Sequence, residues 1–130
     1  MIILTLRTDK PEAEIGIYND HERVAYEIWQ AHRALAETIH LKLSKLIESQ
    51  NLQLTSMQGI VVFKGPGSFT GLRIGVTVAN ALADSLCIPI VGAEADDWIA
   101  DGVERLRKGV NEIVVIPEYG ALPNVSTPKK

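Results

Sequence analysis

The residues with the most chemical content lie in one stretch, Gly65-Pro66-Gly67-Ser68-Phe69-Thr70-Gly71-Leu72-Arg73-Ile74-Gly75. Its glycines permit a tight turn and close backbone approach, and free N–H groups at the start of a following helix can receive an anion or a carboxylate. Gly65, Pro66, Gly67, Ser68, Phe69 and Thr70 therefore read either as an anion-binding loop or as a turn that seats a helix. The stretch is not a standard nucleotide loop. A Walker-type loop closes on Gly-Lys-Ser/Thr, and a dinucleotide fingerprint spaces its glycines differently from 65, 67 and 71. Ser68 and Thr70 need an adjacent base to act as nucleophiles, and Lys64 alone is near, so both read as hydroxyls that cap backbone donors. Arg73 suits a carboxylate of a partner, an anion at the loop, or plain solvation.

Elsewhere the chemistry is sparse. His21 falls in a turn, and His32 and His40 are eight residues apart, so no helical i, i+4 pair of metal ligands exists and no metal or other cofactor is expected. A nuclease with two metals would need carboxylates converging on one strand end, and Arg7 stands where the first strand ends. The single cysteine, Cys87, excludes an internal disulfide and reads as a small buried hydrophobe in a reducing compartment. With 13 Lys+Arg against 16 Asp+Glu the net charge is −3, which lacks the excess needed to grip nucleic acid directly. Six acids and no Lys or Arg lie between Asp84 and Glu104, a face that would repel tRNA and could meet a basic partner; Trp98 within it reads as core or contact anchor.

At 130 residues and 46% hydrophobic, the chain has room for one core. No apolar run approaches the roughly 18 residues of a membrane span, and no charged-then-apolar leader opens the chain, so a cytoplasmic protein with an intact N-terminus is expected. Ile2 to Thr8 reads as a first strand closed by Asp9-Lys10-Pro11; alternation in Ala13 to Tyr18 and again in Val24 to Trp29, across Asn19-Asp20, predicts a three-strand antiparallel meander. The period then changes to 3.6, with Leu35, Ile39, Leu43, Leu46 and Ile47 on one face of a helix of about four turns. Ile60 to Phe63 is continuously apolar, which predicts a central strand covered on both faces. A helix from Phe69 to Leu86, a short strand over Ile88 to Val91, a helix from Asp96 or Asp97 to Arg107 and a last strand over Ile113 to Ile116 complete the reading. Residues 1–109 thus form one α/β lobe, and 110–130 a final strand and an extended tail. A meander followed by crossovers is the plan of an RNase H-like or actin-like ATPase lobe, with a mixed five-stranded sheet in β-β-β-α-β-α-β-α order.

On the second helix Gly71, Gly75, Ala79 and Ala83 recur every four residues. A stripe without bulky side chains lets another element approach closely: the domain's own sheet or first helix, or a partner's helix.

The eleven residues from Gly65 to Gly75 resemble the signature of the TsaB (YeaZ) family, and the similarity extends from Ile2 to about Asp101. The resemblance implies a non-catalytic scaffold subunit in the bacterial pathway that makes threonylcarbamoyladenosine in tRNA next to the anticodon. It implies pairing with a TsaD-like enzyme through helices of this lobe, with a TsaE-like ATPase joining the assembly. The implied interface contains Leu35, Ile39 and Leu43 of the first helix and Gly71, Arg73, Gly75, Ala79 and Ala83 of the second. Three departures accompany the match. The family's Asp-Thr pair at the end of the first strand is Arg7-Thr8, which exchanges a Mg²⁺ ligand for a permanent cation. Leu35 aligns with a histidine common near the start of the family's first helix, His32 being off register. The family's second lobe is missing, although Pro117-Glu118-Tyr119 and Pro128-Lys129-Lys130 look like the ending of full-length members. Two other readings remain: a nucleotide-binding phosphotransferase fragment using Gly65 to Gly71, and a self-associating module that pairs its small-residue stripes as a homodimer.

Overall fold

The structure is a computed structural model and describes residues 1–119, apart from the side chain of His32. Three strands open the chain: β1 (Ile2–Arg7), β2 (Glu12–Asn19) and β3 (Glu22–Gln30). They are followed by α1 (Leu35–Ser49), β4 (Gly59–Phe63), α2 (Phe69–Leu86), β5 (Ile90–Ala93) and α3 (Trp98–Arg107). The sheet order is β3-β2-β1-β4-β5, with β2 antiparallel to both β1 and β3, and β1, β4 and β5 parallel. The meander and the mixed five-stranded sheet stand as the sequence predicts, except that β1 is the central strand and β4 lies beside it.

Alternation on β1 divides the interior in two. Leu4 and Leu6 pair with Ile17 and Ile15 on one side and with Ile60 and Val62 on the other, and this row faces α1 and α2. Leu35, Ile39, Leu43, Leu46 and Ile47 of α1 are all buried over it. Burying each such side chain is worth about 1.5–3 kcal/mol relative to exposure, which holds α1 in place although no side chain caps its N-terminus. Ile3, Val61, Phe63 and Val91 point to the other side, where Trp98, Val103 and Leu106 of α3 cover them. Trp98 is core, its ring edge-on to Phe63 at 5.8 Å.

Two sequence expectations fail. Cys87 is exposed, at the left-handed residue that ends α2 (φ 56°), so it turns the chain and fills no core site. Ile113 to Ile116 form no strand: Ile113 has φ 69°, the Val114 N–H bonds back to the Glu112 carbonyl at 2.7 Å, and only Val115 is buried. β propensity is present there, but side chains rather than a sixth strand take up the open edge of β5. The expected tail from 120 to 130 lies outside the described residues. No helix among the described residues is long and apolar enough to cross a membrane.

Candidate functional site

The glycine motif joins the end of β4 to α2, and its helix starts at Phe69 as predicted. Ser68 occupies the N-cap, yet no side chain makes a capping bond, so the capping role expected for Ser68 and Thr70 is absent; the Ser68 N–H instead reaches the Asp9 carbonyl at 3.2 Å. The Gly65–Pro66 peptide is cis. The glycines are explained by the end of β1. A Cβ on Gly71 would run into the Thr8 carbonyl, and one on Gly75 into the Thr8 side chain. Thr8 is buried, and its hydroxyl donates to the Gly71 carbonyl at 2.7 Å. The small-residue stripe is thus the surface on which α2 lies against β1 and the sheet.

That placement bears on the expected interface. Gly75, Ala79 and Ala83 are buried inside this chain, and so are Leu35, Ile39 and Leu43. Six of the eight residues expected to face a partner lie on the inward sides of the helices: Gly75, Ala79 and Ala83 because an i, i+4 stripe with the smallest side chains lies where the helix axis comes nearest its own sheet, and Leu35, Ile39 and Leu43 because they are the apolar face of α1. Gly71 is half-buried and Arg73 exposed. The outward surface is made by neighbouring residues outside the stripe. Phe69 is 56% exposed at the first turn of α2, with the Arg73 guanidinium 5.9 Å from its ring centre. Ile74 and Val78 are half-buried there, and Thr77 is exposed. Leu41 of α1 is 54% exposed. An apolar groove of about 340 Å³ beside α1 is lined by Leu43, Ile47, Leu52, Leu54 and Leu82, with His40 at its rim.

At the end of β1, Arg7 forms a two-pronged pair with Asp9, Nε to Oδ1 at 2.7 Å and Nη2 to Oδ2 at 3.1 Å, and its guanidinium lies 3.9 Å from the Phe63 ring centre. Burial opposes the charge on Arg7, but the hydrogen bond and charge of Asp9, helped by Glu14, hold it above its ordinary value. The strand end that would anchor a cation therefore carries an already neutralised ion pair. From the sequence Asp9 reads as a turn residue, and because β1 ends at Arg7 no strand periodicity signals this pairing; the bend after the strand brings the two side chains together.

On the α1 side of the motif, a pocket of about 370 Å³ is lined by Thr8, Lys10, Arg33, Leu35, Ser68, Thr70 and Gly71 among others. Lys10 and Arg33 are exposed cations and Ser68 and Thr70 exposed hydroxyls, a set able to hold a small anion. Among the described residues no three His, Cys, Asp or Glu side chains converge as metal ligands.

A β3-β2-β1-β4-β5 sheet with two helices on one face and a third on the other defines a single lobe of the RNase H-like, actin-like class. A family model described as TsaD, tRNA N6-adenosine threonylcarbamoyltransferase, matches residues 29–104, more than half of the chain. The chain belongs to this family. It is 36% identical over 80 residues to a tRNA N6-adenosine threonylcarbamoyltransferase of Geotalea daltonii, covering 62% of this chain and 23% of that protein. It is 32% identical over 100 residues to the tRNA threonylcarbamoyladenosine biosynthesis protein TsaB of Bacillus subtilis, covering 77% of this chain and 44% of the relative. Among solved structures, YeaZ from Pseudomonas aeruginosa superposes with a TM-score of 0.67 at 22% identity, over 72% of this chain and 43% of that one, a likeness of fold. The chain therefore spans about half the length of its TsaB relatives or less.

Proposed function

We propose that this chain is a non-catalytic, cytoplasmic scaffold subunit that supports a TsaD-like enzyme in threonylcarbamoyladenosine modification of tRNA, the enzyme docking on the outward faces of α1 and α2. The observation that carries the reading is that paired surface. Phe69, Arg73, Thr77 and Leu41 stand out from helices whose inner faces are fully used, and aromatic and arginine side chains of this kind anchor interfaces. The Arg7–Asp9 pair supports the absence of catalysis, since it takes up the strand end where the family carries its acidic residue. A TsaE-like ATPase would join the assembly without direct contact between tRNA and this acidic chain, and the homodimer becomes a competing use of the same helical face. The test is calorimetry with the TsaD-like subunit of the same source. Arg73→Glu combined with Thr77→Arg changes only exposed residues, so the chain stays folded and affinity is expected to fall at least about tenfold. Unchanged affinity would remove the face from consideration.

The pocket bearing Lys10 and Arg33 favours a second reading, a nucleotide-binding phosphotransferase fragment. Titration with ATP and Mg²⁺ separates the two: saturable binding that is lost in Arg33→Ala supports the nucleotide reading, and no heat at millimolar nucleotide, a concentration at which ligands bound by only about 4 kcal/mol register, sinks it.

A further inference from the structure

We infer that residues 110–119 form a strap, latched by Asn80 of α2, that presets the glycine loop and the first turn of α2 for the partner subunit; the inference rests on the interface proposed above. The strap begins at the edge of the sheet. β5 is an edge strand, and its outward N–H groups are taken by side chains: Ile90 by Asn111 Oδ1 at 3.1 Å and Gly92 by Glu112 Oε2 at 3.3 Å. The Glu112 N–H returns a bond to the Ile90 carbonyl at 2.9 Å, and Arg105 Nη1 fixes the Glu112 carboxylate at 2.8 Å.

The latch follows three residues later. Asn80 Oδ1 accepts the Val115 N–H at 2.9 Å, and Asn80 Nδ2 donates to the Val115 carbonyl at 2.9 Å, so both backbone groups of one residue go to one amide. A carboxamide supplies the donor and acceptor together, which neither a carboxylate nor a hydroxyl does in that geometry. Apolar burial alone would hold the segment poorly, because Val115 is buried while Ile113, Val114 and Ile116 are 71%, 55% and 70% exposed.

Beyond the latch the strap reaches the start of the motif and the first turn of α2. The Glu118 N–H donates to the Lys64 carbonyl at 2.7 Å, and the Glu118 carbonyl lies against Gly65, where no Cβ would fit. Tyr119 then packs on Phe69, ring centres 4.5 Å apart and tilted by 34°. Phe69 remains over half exposed in this arrangement, so Tyr119 steadies the ring without hiding it, beside the Arg73 guanidinium. An aromatic anchor ordered before binding loses less side-chain entropy on association. Asn80 acts through the strap and is a positioning residue.

Hydrogen exchange and calorimetry on the full chain test this with Asn80→Ala and Tyr119→Ala. Asn80→Ala is expected to speed exchange of the Val115 and Glu118 amides about tenfold or more, leave β1 and β4 amides unchanged, and weaken the TsaD-like subunit's binding by about tenfold. Tyr119→Ala is expected to weaken binding similarly with Val115 exchange unaltered. Accelerated strap exchange with native affinity in both variants would overturn the inference and leave an edge cover, and so would Val115 exchange that ignores Asn80. If Arg73→Glu with Thr77→Arg weakens binding as expected in either case, the interface stands and only the latch fails; if it too binds as the native chain does, both are overturned.

Discussion

Thr8 sets the chemistry of this molecule more than any residue of the motif that it touches. Its carbonyl and side chain occupy the space that side chains on Gly71 and Gly75 would need, and its hydroxyl bonds the Gly71 carbonyl. Glycine inside a helix costs about 1 kcal/mol relative to alanine, and overpacking a close contact costs about 1–3 kcal/mol. The second effect wins at Gly75. Gly75→Ala is expected to lower stability by about 1–2 kcal/mol in urea unfolding despite its better helix propensity. Thr8→Ala removes the atoms in conflict, so the double variant should be more stable than the sum of the two single effects. Strict additivity would mean that the contact is misassigned. The spacing of the glycines was legible in the sequence, but their neighbour was not, since Thr8 and Gly75 are joined only by the pairing of β1 with β4.

At the scale of elements, the antiparallel half of the sheet carries a polar cluster that alternation alone could not foretell. Tyr26 on β3 lies opposite Gly16 and donates its hydroxyl to Glu14 Oε1 at 2.5 Å. Burial, then the hydrogen bond and charge of Glu14, push the Tyr26 phenol above its ordinary value of 10.0. The sign follows directly. Below that value both folded and unfolded chains hold the proton; above it the unfolded chain ionises first, so stability is lost as pH rises from about 10 toward the folded value. Tyr26→Phe should flatten this alkaline loss while costing about 1 kcal/mol at neutral pH, checked by urea midpoints at about pH 8 and about pH 10.5. If both proteins lose stability in parallel, Tyr26 is not the responsible group. Helix positions were the most legible elements: α2 matches its predicted span of Phe69 to Leu86, because apolar period and glycine punctuation agree there. The Ile113 to Ile116 strand was misread because β propensity reports a half-buried surface, and side chains of Asn111 and Glu112 already occupy the edge where it would pair.

For the molecule as a whole, one lobe of a family whose TsaB members are about twice as long is closed on itself at the sheet edge by the strap and on its helical face by α1 and α2. Two areas among the described residues carry the surface chemistry of the readings above: the outward helical face with Phe69 and Arg73, and the small cationic pocket near Lys10 and Arg33. The sequence by itself determined the element order as far as α3, the double cover of β4 and the resemblance to the family, because these follow from short-range periodicity and from one contiguous motif. The tertiary structure decided which way the small-residue stripe faces, what neutralises Arg7 and where residues 110–119 lie. Each of those depends on which strand ends and helix faces the fold brings within a few ångströms of one another, and local spacing along a single chain does not encode that distance.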